Sequence, residues 1–242
     1  MAASPRKWVC AEIPSMDYRE AWELQLALVE ARHSENSQPD VVLLLEHPQV
    51  FTLGSRGARD HLLVSEDFLH ERGIPLLHVE RGGDITFHGP GQLVGYPIVD
   101  LRVNGWRVVD FVGALEEVMI RSLGDWGIRS GRNSINRGVW VGTSKIGSVG
   151  IAVRRRISFH GLALNVNTCL EPFQWIDPCG LEDIQATSMK QVLGTEIPME
   201  EVRCAATRHI REVFGVELEM VSEEDIYRLL DPRNRPSLRE AG

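Results

Sequence analysis

The feature that most constrains this chain is a glycine- and proline-rich segment that lies between two apolar, strand-like segments. It reads Glu80-Arg81-Gly82-Gly83-Asp84-Ile85-Thr86-Phe87-His88-Gly89-Pro90-Gly91-Gln92. The apolar segments on either side are residues 74–79 and 93–99. Glycine is favoured where the backbone adopts positive φ or approaches another group closely, and polar loops on a rigid scaffold often carry function. The segment therefore predicts a loop that forms the wall of a binding site, with a plain tight turn as the alternative.

Hydrophobic spacing indicates both helices and strands along the rest of the chain. Apolar residues at helical intervals predict long helices over 16–32, 107–126 and 199–214, and shorter ones over 65–72, 188–193 and 222–230. Apolar and β-branched runs predict strands over 9–13, 41–46, 50–53, 138–141, 145–153 and 157–166. The order does not alternate strictly between strand and helix. It therefore predicts an α/β fold of the α+β type, with a mixed, largely antiparallel central sheet flanked by helices.

Length and charge limit the function further. The 242 residues carry a formal net charge of -8, which argues against a nucleic-acid-binding protein. We expect one catalytic domain over residues 1–230 and a flexible tail over 231–242. No apolar run approaches the length of a membrane span, and the first ten residues do not have the pattern of a secretory signal.

The four cysteines show neither metal-binding nor disulfide-framework spacing. We therefore expect reduced thiols and a cytoplasmic protein. Cys204 lies on a predicted helix and is expected in the core.

Two residues could carry chemistry. Cys179 stands between Pro178 and Gly180, a rigid frame that leaves a thiol accessible, although a free cysteine is more often a small buried hydrophobic residue. Lys145 lies on a strand rich in glycine and serine; there it is either an exposed edge charge or, in a dry pocket, a proton-exchanging amine. His88 and His160 could orient a thiol, bind substrate or be structural. A metal site made from these two histidines and Cys179 has no supporting ligand spacing, and we expect no metal.

Several segments together resemble the lipoyl(octanoyl) transferases of the biotin/lipoyl protein ligase superfamily. The matching stretches, within residues 18–214, are Leu45-Glu46-His47-Pro48-Gln49-Val50-Phe51-Thr52-Leu53-Gly54, Arg81-Gly82-Gly83, Thr86-Phe87-His88-Gly89-Pro90-Gly91-Gln92, Lys145-Ile146-Gly147-Ser148-Val149-Gly150, His160-Gly161-Leu162-Ala163-Leu164-Asn165 and Pro178-Cys179-Gly180. The resemblance implies the biotin/lipoyl protein ligase fold and the transfer of an octanoyl group from octanoyl-acyl carrier protein to a lysine of a lipoyl domain. The acyl group is held in between as a cysteine thioester.

The resemblance also implies a role for each matching residue. Cys179 is the nucleophile, and Lys145 lowers the pKa of its thiol and shuttles the proton. The acyl pocket is lined by Arg81, Gly82, Gly83, Asp84, Ile85, Thr86, Phe87, His88, Ser148, Val149, Gly150, His160, Gly161, Leu162 and Ala163. We expect no cofactor. The expected acceptors are the lipoyl domains of 2-oxoacid dehydrogenase acyltransferase subunits and the glycine cleavage H protein.

Three other functions stay open at this point. They are an ATP-dependent lipoate or biotin ligase on the same fold, a non-catalytic scaffold that binds acylated proteins, and a hydrolase that uses the same thiol. We expect a monomer without nucleic-acid or membrane partners. Because the expected protein partners are acidic, we expect them to dock on Arg154-Arg155-Arg156 or on the arginines of residues 132–137.

Overall fold

The structure is a computed structural model that describes residues 5–35, 38–133, 136–177 and 185–230. The predicted tail over residues 231–242 lies outside this part of the chain. The helices are α1 (Tyr18–Ser34), α2 (Glu66–Glu71), α3 (Val108–Gly124), α4 (Met189–Leu193), α5 (Met199–Phe214) and α6 (Glu223–Arg228). Short 3₁₀ turns cover Arg59–His61 and Glu171–Trp175.

In the part of the chain that the structure describes, ten strands form two sheets. They are β1 (Arg6–Ile13), β2 (Asp40–Leu45), β3 (Val50–Leu53), β4 (Leu76–His78), β5 (Ile85–His88), β6 (Gln92–Ile98), β7 (Val139–Val141), β8 (Ser144–Arg154), β9 (Ile157–Asn165) and β10 (Val216–Val221). The central sheet has the order β10-β1-β2-β6-β9-β8-β7, and a small sheet has the order β4-β3-β5. In the central sheet β1 is parallel to β2 and to β10, and the other neighbours are antiparallel. The expected mixed, largely antiparallel sheet is therefore confirmed.

Helices cover both faces of the central sheet. Helices α3 and α5 pack on one face around Trp8, Phe111 and Phe214, and α1 and α6 pack on the other around Leu24 and Ile226. Residues along β2 alternate between these two cores and are all buried. A strand covered on both faces reads as a continuous apolar run, which is why the sequence revealed β2 clearly.

Element boundaries follow local chemistry where the sequence offers it. Asp17 caps α1, because its carboxylate accepts a hydrogen bond from the backbone N–H of Arg19 at 2.8 Å. The hairpin between β8 and β9 turns at Arg155 and Arg156, whose φ angles are 51° and 74°. Two successive residues with positive φ match the twist that a tight antiparallel hairpin requires, so the predicted antiparallel neighbours are confirmed.

Four expectations need correction. Residues 50–53 form a strand, but it belongs to the small sheet. The glycine-rich segment contains the strand β5, where its longest run without glycine or proline pairs with β3. Strand β10 was not predicted because two glutamates interrupt its apolar residues, and it is stabilised by pairing at the sheet edge with β1. Cys204 is exposed, since it lies on the solvent side of α5. No helix in the described ranges is long and apolar enough to cross a membrane.

Candidate functional site

A cavity of about 700 Å³ brings most of the predicted site residues together. It is lined by Arg81, Gly82, Gly83, Asp84, Ile85, Thr86, His88, Lys145, Ser148, Val149, Gly150, His160, Gly161, Leu162 and Ala163. These residues come from segment 81–88 and from strands β8 and β9, which are distant in the sequence. The volume is in the range of small-molecule binding sites.

Phe87 does not line this cavity. Its ring packs in the core of the small sheet, 5.2 Å from the ring of Phe51 and 5.5 Å from that of Phe173. Successive side chains of a strand point to opposite faces, so the neighbours Thr86 and His88 face the cavity while Phe87 faces away. Phe87 therefore supports the wall and does not form its surface.

Cys179 lies outside the described residues, but the chain on both sides of segment 178–184 is fixed at the cavity. Ile176 and Ala186 line it. On one side the N–H of Asp177 donates to the carbonyl of His61 at 2.9 Å, and on the other the N–H of Lys145 donates to the carbonyl of Gln185 at 2.8 Å. The described chain thus ends at residue 177 and resumes at residue 185 beside the cavity wall.

Lys145 lies at the start of β8 and is half-buried. Its Nζ donates a hydrogen bond to Oδ1 of Asn136 at 3.0 Å and lies 5.6 Å from the ring centre of Trp140. Asn136 and Lys145 both line the cavity. The ammonium is therefore directed by its surroundings and does not extend freely from the sheet edge.

Two glycines allow protein backbones to approach each other around the cavity. A Cβ at Gly161 would lie 2.0 Å from the carbonyl oxygen of Gly95 on β6, and one at Gly150 would lie 2.7 Å from that of Gly82. The N–H of Gly82 also donates to the carbonyl of Ile151 at 2.9 Å. The resemblance implies that both glycines line the acyl pocket, and both line the cavity. The structure shows that their first role is to hold the walls together.

Arg81 is a buried cation in the cavity wall. Its guanidinium donates to the carbonyl oxygen of Thr52 at 2.6 Å and to the hydroxyl of Thr52 at 2.9 Å and 3.0 Å. Burial lowers the pKa of Arg81, and none of the described carboxylates forms an ion pair with it. Within the described residues, its positive charge therefore faces the cavity without a direct counter-ion.

Five buried aromatic and imidazole side chains form what we call the polar floor: Tyr18, His47, His88, Tyr96 and His160. All except His47 line the cavity. Nδ1 of His47 hydrogen-bonds the carbonyl of Met16 at 2.7 Å, and its Nε2 accepts from the Tyr96 hydroxyl at 2.7 Å. Burial lowers the pKa of His47 to about 4 and that of His160 to about 3, lowers that of His88, and raises that of Tyr18 to about 12. These groups are therefore uncharged near neutral pH.

His160 has an unusual backbone. Its φ of 55° lies in the left-handed region, which few residues other than glycine adopt within a strand. The conformation is held by a hydrogen bond of 2.7 Å from its backbone N–H to Oε1 of the fully buried Gln25. Local strain of this kind is found at functional sites, and here it directs the imidazole into the polar floor.

Sequence reasoning missed several cavity residues. Tyr18 lies in the helix predicted over 16–32 and Tyr96 in the apolar segment 93–99, and only their hydroxyl groups distinguish them from core residues. Val108 and Val109 line the cavity mouth although they are 47% and 63% exposed. The exposed Arg56 lines it too, and its guanidinium has no hydrogen-bond or ion-pair partner within the described ranges.

The arginines proposed for docking are largely engaged within the protein. Arg154 pairs with Glu80 at 3.0 Å and Arg155 with Glu30 at 2.8 Å. Arg132 and Arg137 pair with Glu116 at 3.2 Å and 3.1 Å. These contacts reduce the positive field that either segment presents to a partner.

Among the residues that the structure describes, no group of three or more His, Cys, Asp or Glu side chains has the arrangement of a metal site. The alternative site from His88, His160 and Cys179 falls partly outside those residues, because it needs Cys179.

Two groups of known proteins are similar to this chain: octanoyltransferases in sequence and lipoate protein ligases in structure. The chain is 48% identical over 206 residues to an octanoyltransferase of Desulfotalea psychrophila, covering 84% of this chain and 92% of the relative. It is also 48% identical over 209 residues to an octanoyltransferase of Syntrophobacter fumaroxidans, covering 86% and 91%. Lipoate-protein ligase A bound with ATP superposes with a TM-score of 0.70 at 16% identity, covering 94% and 92%. A bi-partite lipoate protein ligase from Thermoplasma acidophilum gives 0.70 at 17%, covering 93% and 90%.

The sequence identities to the two ligases are low, so these structural similarities establish the fold and nothing more. The profile of the lipoyl protein ligase A/B catalytic domain matches residues 17–211, which include every residue that lines the cavity. Together with the curated relatives, this match confirms the resemblance seen in the sequence motifs. The chain therefore belongs to the family of lipoyl protein ligase A/B catalytic domains.

Proposed function

We propose that this protein is an octanoyltransferase, which moves an octanoyl group from octanoyl-acyl carrier protein to a lysine of a lipoyl domain. The observation that carries the proposal is the near-full-length identity of 48% to relatives that bear this name. The cavity supports it, because it joins a lysine, a glycine-rich wall and apolar side chains in one site.

The reaction needs two acyl transfers. First, the thiolate of Cys179 attacks the thioester carbonyl, and the carrier's thiolate leaves and takes up a proton. Then the amine of the acceptor lysine attacks the acyl-enzyme, the bond to Sγ of Cys179 breaks, and the amine loses one proton to a base. Exchange of one thioester for another is nearly balanced in free energy, so this route consumes no ATP.

Lys145 is suited to both steps. As an ammonium group near Cys179, it would stabilise the thiolate and so lower the pKa of the thiol. As a neutral amine, it would accept the proton of the incoming lysine. The support for this role is its position in the cavity wall, hydrogen-bonded to Gln185 at the edge of the segment that carries Cys179.

The acyl chain would lie between segment 81–86 and strands β8 and β9. Val149, Ile151 and Leu162 offer apolar surface there. Burying a methylene group contributes about 0.8 kcal/mol before ordering costs, so an eight-carbon chain gains enough to be held. The uncharged polar floor closes the buried side of the same cavity.

An ATP-dependent ligase is the nearest alternative, because ligases share the fold. The names of the more similar relatives favour the transferase. A non-catalytic scaffold would keep its function without Cys179 or Lys145, and a hydrolase would release free octanoate. The specific acceptors, a monomeric state and a cytoplasmic location remain predictions.

The test is intact-protein mass spectrometry after mixing the protein with octanoyl-acyl carrier protein, without ATP. We expect a mass gain of one octanoyl group that hydroxylamine reverses and that an added lipoyl domain removes. A Cys179→Ser variant is expected to form no hydroxylamine-sensitive adduct, and Cys169→Ser, at an exposed cysteine, serves as the matched control. No adduct on the wild type, or the same labile adduct on Cys179→Ser, would contradict the proposal.

A further inference from the structure

Asn136 contacts Lys145 from a loop that the sequence motifs do not include. Its Oδ1 accepts a hydrogen bond from Nζ of Lys145 at 3.0 Å. Its backbone carbonyl accepts another from the indole N–H of Trp140 at 3.2 Å, and the Trp140 ring lies 5.6 Å from the same Nζ. Asn136 is therefore fixed through its main chain while its side chain is directed at the lysine.

The loop that carries Asn136 is attached to a buried carboxylate. Glu116 on α3 is 1% exposed. It accepts hydrogen bonds from the N–H of Gly138 at 2.9 Å, from Arg137 at 3.1 Å and from Arg132 at 3.2 Å. Hydrogen bonds to a buried charged group are among the stronger ones in proteins. Glu116 thus fixes the described residues on both sides of Asn136.

Gly138 makes this arrangement possible. Its φ of 130° is open to glycine almost alone. A Cβ there would lie 2.4 Å from the carbonyl oxygen of Gly147 and 2.7 Å from Cε of Lys145. The loop therefore lies directly against the lysine side chain, which leaves that side chain little freedom.

An asparagine has the right chemistry for this position. Its amide oxygen is an acceptor that satisfies one N–H of Lys145. Because the amide is uncharged, it orients the amine without the strong preference for the ammonium form that a carboxylate would impose. A lysine that acts as an ammonium group in acylation and as a neutral amine in transfer is best served by such an uncharged partner.

We propose that Asn136 is a positioning residue that holds Nζ of Lys145 in the cavity, and that Glu116 anchors the loop that presents it. The proposal rests on the proposed function, in which Lys145 exchanges protons with Cys179 and with the acceptor amine. Asn136 acts through Lys145 and touches neither substrate in this role.

The test separates the two half-reactions in four single variants and in the double variant of Asn136→Leu with Lys145→Ala. Asn136→Leu keeps the approximate shape but removes the acceptor, and Asn136→Asp keeps the acceptor but adds a charge. Asn167→Leu is the matched control, since the Asn167 side chain bonds Ile197 at 2.8 Å and 3.0 Å and does not line the cavity. Lys145→Ala tests the proposed function by itself. Acylation of Cys179 by octanoyl-acyl carrier protein and transfer to a lipoyl domain are each followed in single turnovers.

We expect Asn136→Leu to slow both half-reactions by about tenfold to a hundredfold, the usual scale for misplacing a reacting group. Asn136→Asp should restore acylation, because the ammonium remains oriented, but not transfer, because the carboxylate holds the proton on Lys145. In the Lys145→Ala background, Asn136→Leu should have no further effect. Asn167→Leu should lower thermal stability and leave both rates unchanged.

Two results would overturn the role of Asn136 alone. One is a Lys145→Ala variant that loses activity while Asn136→Leu stays within about twofold of wild type in both steps. The other is an equal loss from Asn136→Leu whether or not Lys145 is present, which would show a structural effect. Full activity of Lys145→Ala would instead remove Lys145 from the mechanism, and Asn136 with it.

Discussion

The two ends of the cavity hold their polar groups in different ways. At the polar floor, His160 is 1% exposed and Tyr18 is 3% exposed, and the floor residues bond mainly to one another and to backbone carbonyls. At the other end Lys145 and Asn136 are half-buried, and they are fixed by a loop anchored on Glu116. Burial keeps the floor uncharged, whereas the proton exchange that we propose takes place at the half-buried lysine end. Under the proposed function, the floor shapes the cavity and the lysine end, which we call the chemical end, carries out the reaction.

A ladder of hydrogen bonds connects these two regions. Nδ1 of His88 bonds Oε1 of Gln92 at 2.7 Å, and Nε2 of Gln92 donates to Oδ1 of Asn165 at 2.9 Å. Asn165 then donates to the carbonyl of Thr187 at 3.0 Å, and the N–H of Thr187 donates to the carbonyl of Lys145 at 2.9 Å. Gln92 and Asn165, two motif residues without a role in the proposed reaction, thus fix the distance between the polar floor and Lys145.

The largest effect should come from the chemical end. A Lys145→Arg variant keeps a positive charge, but arginine does not lose its proton in proteins. We expect acylation of Cys179 to continue while transfer to the lipoyl domain falls by about 10²–10⁴-fold, the usual contribution of a general base. Lys190→Arg is the control, since Lys190 is an exposed partner of Glu196. Normal transfer by Lys145→Arg would exclude a proton-accepting role.

Gly161→Ala should lower the stability of the protein, because it disrupts the packing of the strands beside the polar floor. The new Cβ would lie 2.0 Å from the carbonyl oxygen of Gly95, so β6 and β9 must separate along the sheet. Inserting a group into a packed interior costs about 1–3 kcal/mol, occasionally more. Urea unfolding measures the loss, and Gly113→Ala is the control, because nothing lies within 4 Å of its added Cβ and alanine favours the helix. Equal stability of Gly161→Ala and wild type would show that the strands are not held at contact.

The sequence predicted the cavity residues of local motifs better than those that depend on long-range packing. Residues that act in a fixed local pattern, such as Arg81-Gly82-Gly83 and the strand from Lys145, carry their signature in neighbouring residues. The floor depends on long-range pairing: Tyr18 and Tyr96 come from a helix and a strand whose patterns look purely apolar. The left-handed φ of His160 has no local signal at all, because it depends on the distant Gln25.

The same contrast between local and long-range signals explains which strands the sequence predicted. Strand β2 is buried on both faces and was evident from its composition, whereas the edge strand β10 alternates with glutamates and was not. Its stability comes from the partner strand β1, which is some two hundred residues earlier in the sequence. Asn136 was not predicted for a similar reason, since its contact with Lys145 depends on the distant Glu116, which fixes the loop.

The pH dependence of stability should report the floor. Burial holds the pKa of His47 at about 4 instead of its ordinary 6.5. Between these values the unfolded chain binds one more proton at His47 than the folded protein, so the contribution of His47 to stability is fully present above pH 6.5 and is lost on acidification. One such histidine contributes a slope of about 1.4 kcal/mol per pH unit. Urea unfolding of wild type and His47→Gln at pH 6.5 and 5.5 isolates this slope.

The free energy of unfolding of His47→Gln should change less with pH than that of the wild type, because the variant lacks the titration of His47. Titrations common to both proteins cancel in the difference. His61 does not interfere: the hydrogen bond to Asp84 raises its pKa, so its contribution is present below pH 6.5 and is lost only above that value. Identical slopes in the two proteins would mean that His47 is protonated in the folded state.

The smallest expected effect is on the rate at which octanoyl-acyl carrier protein associates with the chemical end of the cavity. Arg155 is paired with Glu30 and lies ten residues along the β8 hairpin from Lys145, a distance of roughly 33 Å for an extended strand. Arg56 lines the cavity mouth, and its side chain has no partner among the described residues. A charge close to the mouth and free of an internal ion pair attracts an acidic carrier more effectively than a paired, distant one.

We therefore expect Arg56→Glu to slow association with octanoyl-acyl carrier protein more than Arg155→Glu does, by a few-fold at low salt. Rim charges act mainly on the association rate, and the difference should disappear at about 1 M salt, where the Debye length is about 3 Å. Stopped-flow association at two salt concentrations compares both variants with wild type. If Arg155→Glu has the larger effect, the carrier docks at the hairpin, and its acyl arm would have to span most of β8 to reach Lys145.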